Sequence, residues 1–118
     1  MLTFATTQRI YLARAVVDMR KSFDSLTSLV RNQLGKDPFT GDAFVFVGKG
    51  RDRVKILVWD VSGFWVCAKR LEKGRFRWPA TTGPERSVVL RAEELAMLLN
   101  GLDLKQAQPR RGWYRRAS

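Results

Sequence analysis

Histidine is absent from this chain, and cysteine occurs once. The first absence removes the commonest general base, the commonest zinc ligand and every serine–histidine or cysteine–histidine nucleophile pair. Histidine-dependent hydrolases and zinc fingers are thereby excluded. The second leaves Cys67 without an internal disulfide partner, as suits a reducing compartment. Lying between Val66 and Ala68 in a strand-like run, it reads as a packing residue, because a free cysteine is usually buried. Acids are scarce too: 11 Asp and Glu stand against 22 Lys and Arg, giving a formal net charge of +11. No apolar run approaches the ~18–20 residues of a membrane span. The opening MLTFATTQRI lacks a charged region followed by an apolar core, so no signal peptide and no membrane partner are predicted. A cytoplasmic protein is expected.

What remains is a 118-residue chain with 45% hydrophobic residues, enough for one globular core and too short for two. So large a positive excess calls for a polyanionic partner, and without membrane signals that partner is nucleic acid.

The apolar pattern gives the organisation. Residues 9–13 (RIYLA) read as a first strand. Asp18 or Ser22 can cap a helix running to about Leu34, with Phe23, Leu26, Leu29, Val30 and Leu34 on one core face and Gly35 as its stop. Residues 43–47 (AFVFV) form a strand buried on both sides, and Gly48-Lys49-Gly50-Arg51-Asp52 is a basic loop. It lacks the spacing and the Lys-Ser/Thr ending of a nucleotide-binding loop. Two further strands flank Asp60-Val61-Ser62-Gly63, which suits a type I turn with glycine in a left-handed bulge position. That register sets Trp59 opposite Trp65 and Lys55 opposite Lys69. Arg53, Lys55, Leu57, Trp59, Trp65, Cys67, Lys69 and Leu71 then share one face, with Val54, Ile56, Val58, Phe64, Val66 and Ala68 on a core face. A one-residue slip would exchange every partner. Residues 75–78 (RFRW) read as a third short strand closed by Pro79, residues 81–84 as a loop, and residues 93–102 as a second helix. Beyond Lys105 no periodic pattern survives, and PRRGWYRRA reads as a disordered basic tail. There is no internal repeat.

Between Lys49 and Arg77 the cations are Lys49, Arg51, Arg53, Lys55, Lys69, Arg70, Lys73, Arg75 and Arg77, against the acids Asp52, Asp60 and Glu72. Trp59, Trp65 and Trp78 are interleaved with them. Cations with indole rings on strands suit a polyanion carrying stackable bases, though each indole could equally belong to the core. A metal-dependent nuclease would need two or three converging carboxylates. Asp18 reads instead as a helix cap, Asp60 as a turn starter and Glu72 as a turn neighbour. No catalytic residue, cofactor or metal ligand is assigned.

Three segments together carry a resemblance: DMRKSFDSL (residues 18–26), the block from Phe44 to Pro79 containing RVKILVWDVSGFWVCAKRLEKGRFRWP, and ELAMLLNGLDL (residues 94–104). They resemble the TnpB-type, or Orf-two-like, accessory proteins of the bacterial insertion sequence 66 family of transposable elements. The similarity runs from about Arg9 to Leu104. It implies a protein encoded beside a larger DDE-type transposase and needed for efficient transposition, and it supplies no catalytic residues.

The expectation is a single α+β domain over residues 1–104, with a mainly antiparallel sheet of four to five strands and two helices, followed by the basic tail at 105–118. One helix packs on a face of the sheet and the other closes an edge or end. The expected function is non-enzymatic: DNA binding that assists the transposase, nucleoid-associated when bound. Arg53, Lys55, Lys69, Arg70, Arg75 and Arg77 are the phosphate candidates, Trp59, Trp65 and Trp78 the stacking candidates, and Arg110, Arg111, Arg115 and Arg116 an auxiliary arm. The alternative is a protein–protein adaptor for the transposase that does not touch DNA, and a nuclease ranks third. A homo-oligomer is compatible with all three.

Overall fold

Ala43–Val47 (β2) contains no polar side chain and is buried along its whole length. Such a strand needs neighbours on both edges and cover on both faces, and the rest of the chain supplies them. The computed structural model describes residues 8–79 and 84–101. They form an α+β domain built on one five-stranded sheet.

Ile10–Ala13 (β1) leads through helix α1 (Phe23–Asn32) into β2, and the two strands pair in parallel. A parallel pair requires such a crossover. Arg53–Trp59 (β3) and Phe64–Arg70 (β4) follow as antiparallel neighbours, and Ser87–Leu90 (β5) pairs antiparallel with β1. The order across the sheet is β4-β3-β2-β1-β5. Three antiparallel pairs to one parallel pair make the sheet mainly antiparallel, as expected.

Each face has its own core. Tyr11, Phe44, Phe46 and Leu57 point to one side, where Leu26 and Val30 of α1 cover them. Ile10, Leu12, Val45, Val47, Val54 and Ile56 point to the other, under Leu95 and Leu98 of α2 (Ala92–Leu99). The second helix therefore covers a face; it does not close an edge or end. Its Leu95 and Leu98 are buried there because the sheet, alternating with period two, is apolar on both sides.

α1 starts after Ser22, not Asp18, with the Ser22 N–H donating to Ser25 Oγ at 3.0 Å. Phe23, expected in the core stripe, stays 47% exposed. Gly35 adopts φ +65° just past the helix, the left-handed conformation that ends helices. Two elements differ from expectation. β5 has no counterpart in the predicted strands, and residues 75–78 form no ladder. Phe76 instead drops into the core on the α2 side, its N–H donating to Arg51 O at 2.6 Å. The second helix ends at Leu99, short of the expected 102; part of the expected loop at 81–84, Leu102 and the tail lie outside the described residues.

Candidate nucleic-acid interface

The hairpin register decides which charges meet. Trp59 pairs with Phe64, Val58 with Trp65, Lys55 with Ala68 and Val54 with Lys69. This is one residue off the expected pairing. The cause is the turn: Asp60 Oδ1 accepts the Ser62 and Gly63 N–H groups at 3.0 and 3.1 Å, and the Asp60 N–H donates to Gly63 O at 2.8 Å. The carboxylate closes a symmetric turn, so Gly63 takes no left-handed conformation and adds no bulge. The slip moves Phe64, Val66 and Ala68 to the α1 side with Lys55, Leu57 and Trp59. Trp65, Cys67 and Lys69 pass to the α2 side with Val54, Ile56 and Val58. Leu57, placed on a basic face by the expected register, is fully buried.

Lys55 and Lys69 thus sit on opposite faces, and each ammonium is occupied. Lys55 Nζ donates to Lys21 O at 2.7 Å, fastening β3 to the entry of α1, and Lys69 Nζ donates to Leu99 O at 2.8 Å. The second bond places a cation on the C-terminal carbonyls of α2, where the helix dipole favours it. Both lysines border the cleft at the strand ends, but their charge is engaged by the fold.

The tryptophans separate as well. Trp59 sits in an aromatic cluster with Phe39 and Phe64, ring centroids 5.0 Å from each. Trp65 is 61% exposed, and its indole N–H donates to Asp60 Oδ2 at 2.6 Å. Both stand at the turn end of the hairpin, about 20 Å from Arg53 at ~3.3 Å per residue. Trp78 lies at the other end, packed against the core with its indole N–H donating to Ala13 O at 3.0 Å.

That other end gathers the free cations. Arg53 and Arg70 are direct cross-strand partners. The loops flanking the hairpin are tied together by Leu71 N–H to Asp52 O at 2.8 Å and Phe76 N–H to Arg51 O. Those bonds bring Lys49, Arg51, Lys73, Arg75 and Arg77 to the same end. A cleft of about 710 Å³ is lined by Arg51, Lys73, Arg75 and Arg77 together with Phe76 and Trp78. Arg51 holds φ +60°, a conformation uncommon for a residue with a side chain. Among the described residues Lys49, Arg51, Arg53, Lys73, Arg75 and Arg77 carry no side-chain hydrogen bond or ion pair. Arg70 meets Glu72 at 3.2 Å, both exposed, and such a pair holds weakly. Like charges opposite one another, as Arg53 and Arg70 are, repel until an anion comes between them.

Of the sequence candidates, the fold unites Arg53, Arg70, Arg75, Arg77 and Trp78. Lys55 and Lys69 border the same end but are bonded to backbone carbonyls, Trp59 and Trp65 stand at the turn end, and Arg110, Arg111, Arg115 and Arg116 lie outside the described residues. Lys49, Arg51 and Lys73 were not among the candidates. Their signal was present: each sits beside a glycine in the two loops, GKGRD and EKGR, that bracket the hairpin.

The acids have local partners. Asp18 is bonded by the Arg20 guanidinium at 2.7–3.1 Å and by the Arg20 N–H, which hold its pKa down at about 2. Asp60 is lowered by the Ser62 N–H and then by the Trp65 indole. Among the described residues no three His, Cys, Asp or Glu side chains group as a metal site would require, and no helix is long and apolar enough to cross a membrane.

Architecture and charge define a small basic α+β domain whose unpaired cations collect at one end of the sheet. Residues 8–109 match the family model described as IS66 Orf2 like protein, so the chain belongs to that family, whose members are accessory proteins of insertion-sequence transposition. Two relatives come from Sinorhizobium fredii (strain NBRC 101917 / NGR234). "Uncharacterized protein y4jC" is 38% identical over 95 residues, 80% of each chain, and "Uncharacterized protein y4hO" is 33% identical over 108 residues, 92% of each. No solved structure matches the chain.

Proposed function

We propose that this accessory protein binds DNA by the phosphate backbone through its basic end, catalyses no strand chemistry itself, and assists the element's separate DDE-type transposase. The observation that carries the reading is the set of six Lys and Arg side chains that have no partner among the described residues, gathered with Arg70 at the strand ends by the hairpin pairing and the bonds between its flanking loops. Unpaired cations around an open cleft are placed for phosphate oxygens, which accept arginine in bidentate fashion.

Salt dependence on duplex DNA of unrelated sequence tests this. Each phosphate neutralised contributes about −0.9 to the slope of log affinity against log salt, so seven cations give at most about −6. Absence of binding even at low salt would remove the DNA reading in favour of the adaptor. The adaptor has its own supporting feature at the turn end: Phe39 is 44% exposed, braced by Trp59 and Phe64, with the Arg31 guanidinium 5.3 Å above its ring. Aromatic and Arg anchors of this kind are favoured at protein interfaces.

A further inference from the structure

β4 is an edge strand. β3 pairs with one side of it, and among the described residues nothing pairs with the other. The bonds Asp60 N–H to Gly63 O and Leu71 N–H to Asp52 O bracket the ladder. By the alternation of an antiparallel pair, Trp65, Cys67 and Lys69 bond β3, while Phe64, Val66, Ala68 and Arg70 turn their N–H and C=O groups outward. Neither proline nor bulge interrupts these seven residues, so the edge lacks two of the devices that usually block strand addition.

The sequence of β4, FWVCAKR, is aromatic at one end, small in the middle and cationic at the other. We propose that the protein self-associates through β4, two copies joining their five-stranded sheets antiparallel about a twofold axis at Cys67. Phe64 of one copy then faces Arg70 of the other, Trp65 faces Lys69, Val66 faces Ala68, and the two Cys67 residues face each other. All four outward-turned residues find partners in this register. Shifting by two residues keeps the outward groups paired but sets Lys69 against Gly63, or Trp65 against Leu71, and shortens the overlap.

Lys69 and Arg70 at a free edge could serve to repel another strand. In antiparallel self-pairing each faces an aromatic ring instead, a favourable cation–π arrangement. Twofold symmetry permits no parallel alternative that would set lysine against lysine. The contacts are also held in place beforehand. Trp65 is exposed with its ring fixed by Asp60, and Lys69 is fixed by Leu99 O, so little side-chain freedom is lost on pairing.

The single cysteine makes the test unambiguous. Cys67 would oppose its copy in a non-hydrogen-bonded pair, with Cα atoms about 4.5 Å apart, inside the roughly 4.4–6.8 Å that a disulfide spans. Sedimentation of the full chain should show a dimer. Mild oxidation with copper–phenanthroline, which takes up the two electrons as two thiols release their protons, should link Cys67 to Cys67 and the link should reverse with reductant. Ala68→Pro deletes an outward N–H and leaves the β3 ladder intact, so it should give a folded monomer that no longer cross-links. If that variant fails to fold, Trp65→Lys serves: it sets lysine against Lys69 in both symmetric pairs and should raise the dissociation constant at least about tenfold. A parent that stays monomeric at every concentration would overturn the proposal. A dimer that neither cross-links at Cys67 nor weakens in the folded variants would overturn it equally.

Discussion

Lys55→Met separates a lysine that holds the fold from one that holds DNA. Methionine keeps most of the aliphatic stem and deletes the ammonium, whose 2.7 Å bond to Lys21 O joins β3 to the entry of α1. A hydrogen bond with a charged partner contributes roughly 1.5–3 kcal/mol. Lys55 is half-buried, and water can reach part of the orphaned carbonyl, so the lower part of that range, about 1.5–2 kcal/mol, applies. For a domain of this size each kcal/mol moves the midpoint by about 4–6 °C, and a fall of about 6–12 °C follows. Lys69→Met, on an exposed side chain, should cost less than about 1 kcal/mol. Thermal and urea unfolding read the stability, and salt-dependent DNA binding on the same samples reads the charge. Neither substitution should alter the salt slope. An unchanged midpoint for Lys55→Met, with a slope shallower by about one unit, would show a lysine free for phosphate and refute the tethering argument.

A Cβ on Gly48 would stand 2.5 Å from Met19 Cγ, so Gly48→Ala should cost about 1–3 kcal/mol through overpacking. In a Met19→Ala background the same change should cost clearly less, which a double-mutant cycle by urea unfolding measures. Phe76→Ala should cost about 3–5 kcal/mol, because this ring alone anchors the 75–77 segment in the core; DNA affinity should fall with it as Arg75 and Arg77 lose their placement. Asp18, held at about 2 by Arg20, has a folded pKa below its unfolded one. Its contribution is therefore complete above the ordinary carboxylate range and lost as pH falls through about 2. Carboxyl titration by NMR should show that low midpoint, and Arg20→Ala should raise it only part of the way, because the backbone N–H of residue 20 still bonds the carboxylate. The Trp65 indole N–H resonance should move with the titration of Asp60, whose carboxylate it bonds.

Much of this fold was legible in the sequence because the burial pattern is strong. AFVFV could only be a central strand, and Leu26 with Val30 could only face a core. The hairpin strands were legible for the same reason, but their register was not. It depends on a single side chain, Asp60, which caps the turn itself and so removes the bulge that a glycine four residues into the turn suggests. That one residue carried the candidate site with it, dividing a supposed basic face between the α1 and α2 sides of the sheet. SVVL at β5 is too short and too uniform to alternate, and only its pairing with β1 makes it a strand. RFRW does alternate, Phe76 and Trp78 inward with Arg75 and Arg77 exposed, but alternation alone does not supply a neighbouring strand to bond. The convergence of GKGRD with EKGR was invisible for a related reason. It follows from backbone bonds between loops that are distant in the sequence.

The central claim is that the cations at the strand ends, and not those along the sheet faces, meet the DNA backbone. Comparing Arg53→Ala/Arg75→Ala/Arg77→Ala with Lys55→Met/Lys69→Met, each against the parent on duplex DNA over a range of salt, tests it most directly. The triple variant should keep its fold, lose affinity and show a slope shallower by up to about 2.7 units, while the lysine double variant should keep the parent slope at temperatures where it is folded. A triple variant that retains the parent slope, or a lysine variant that alone loses it, would contradict the account.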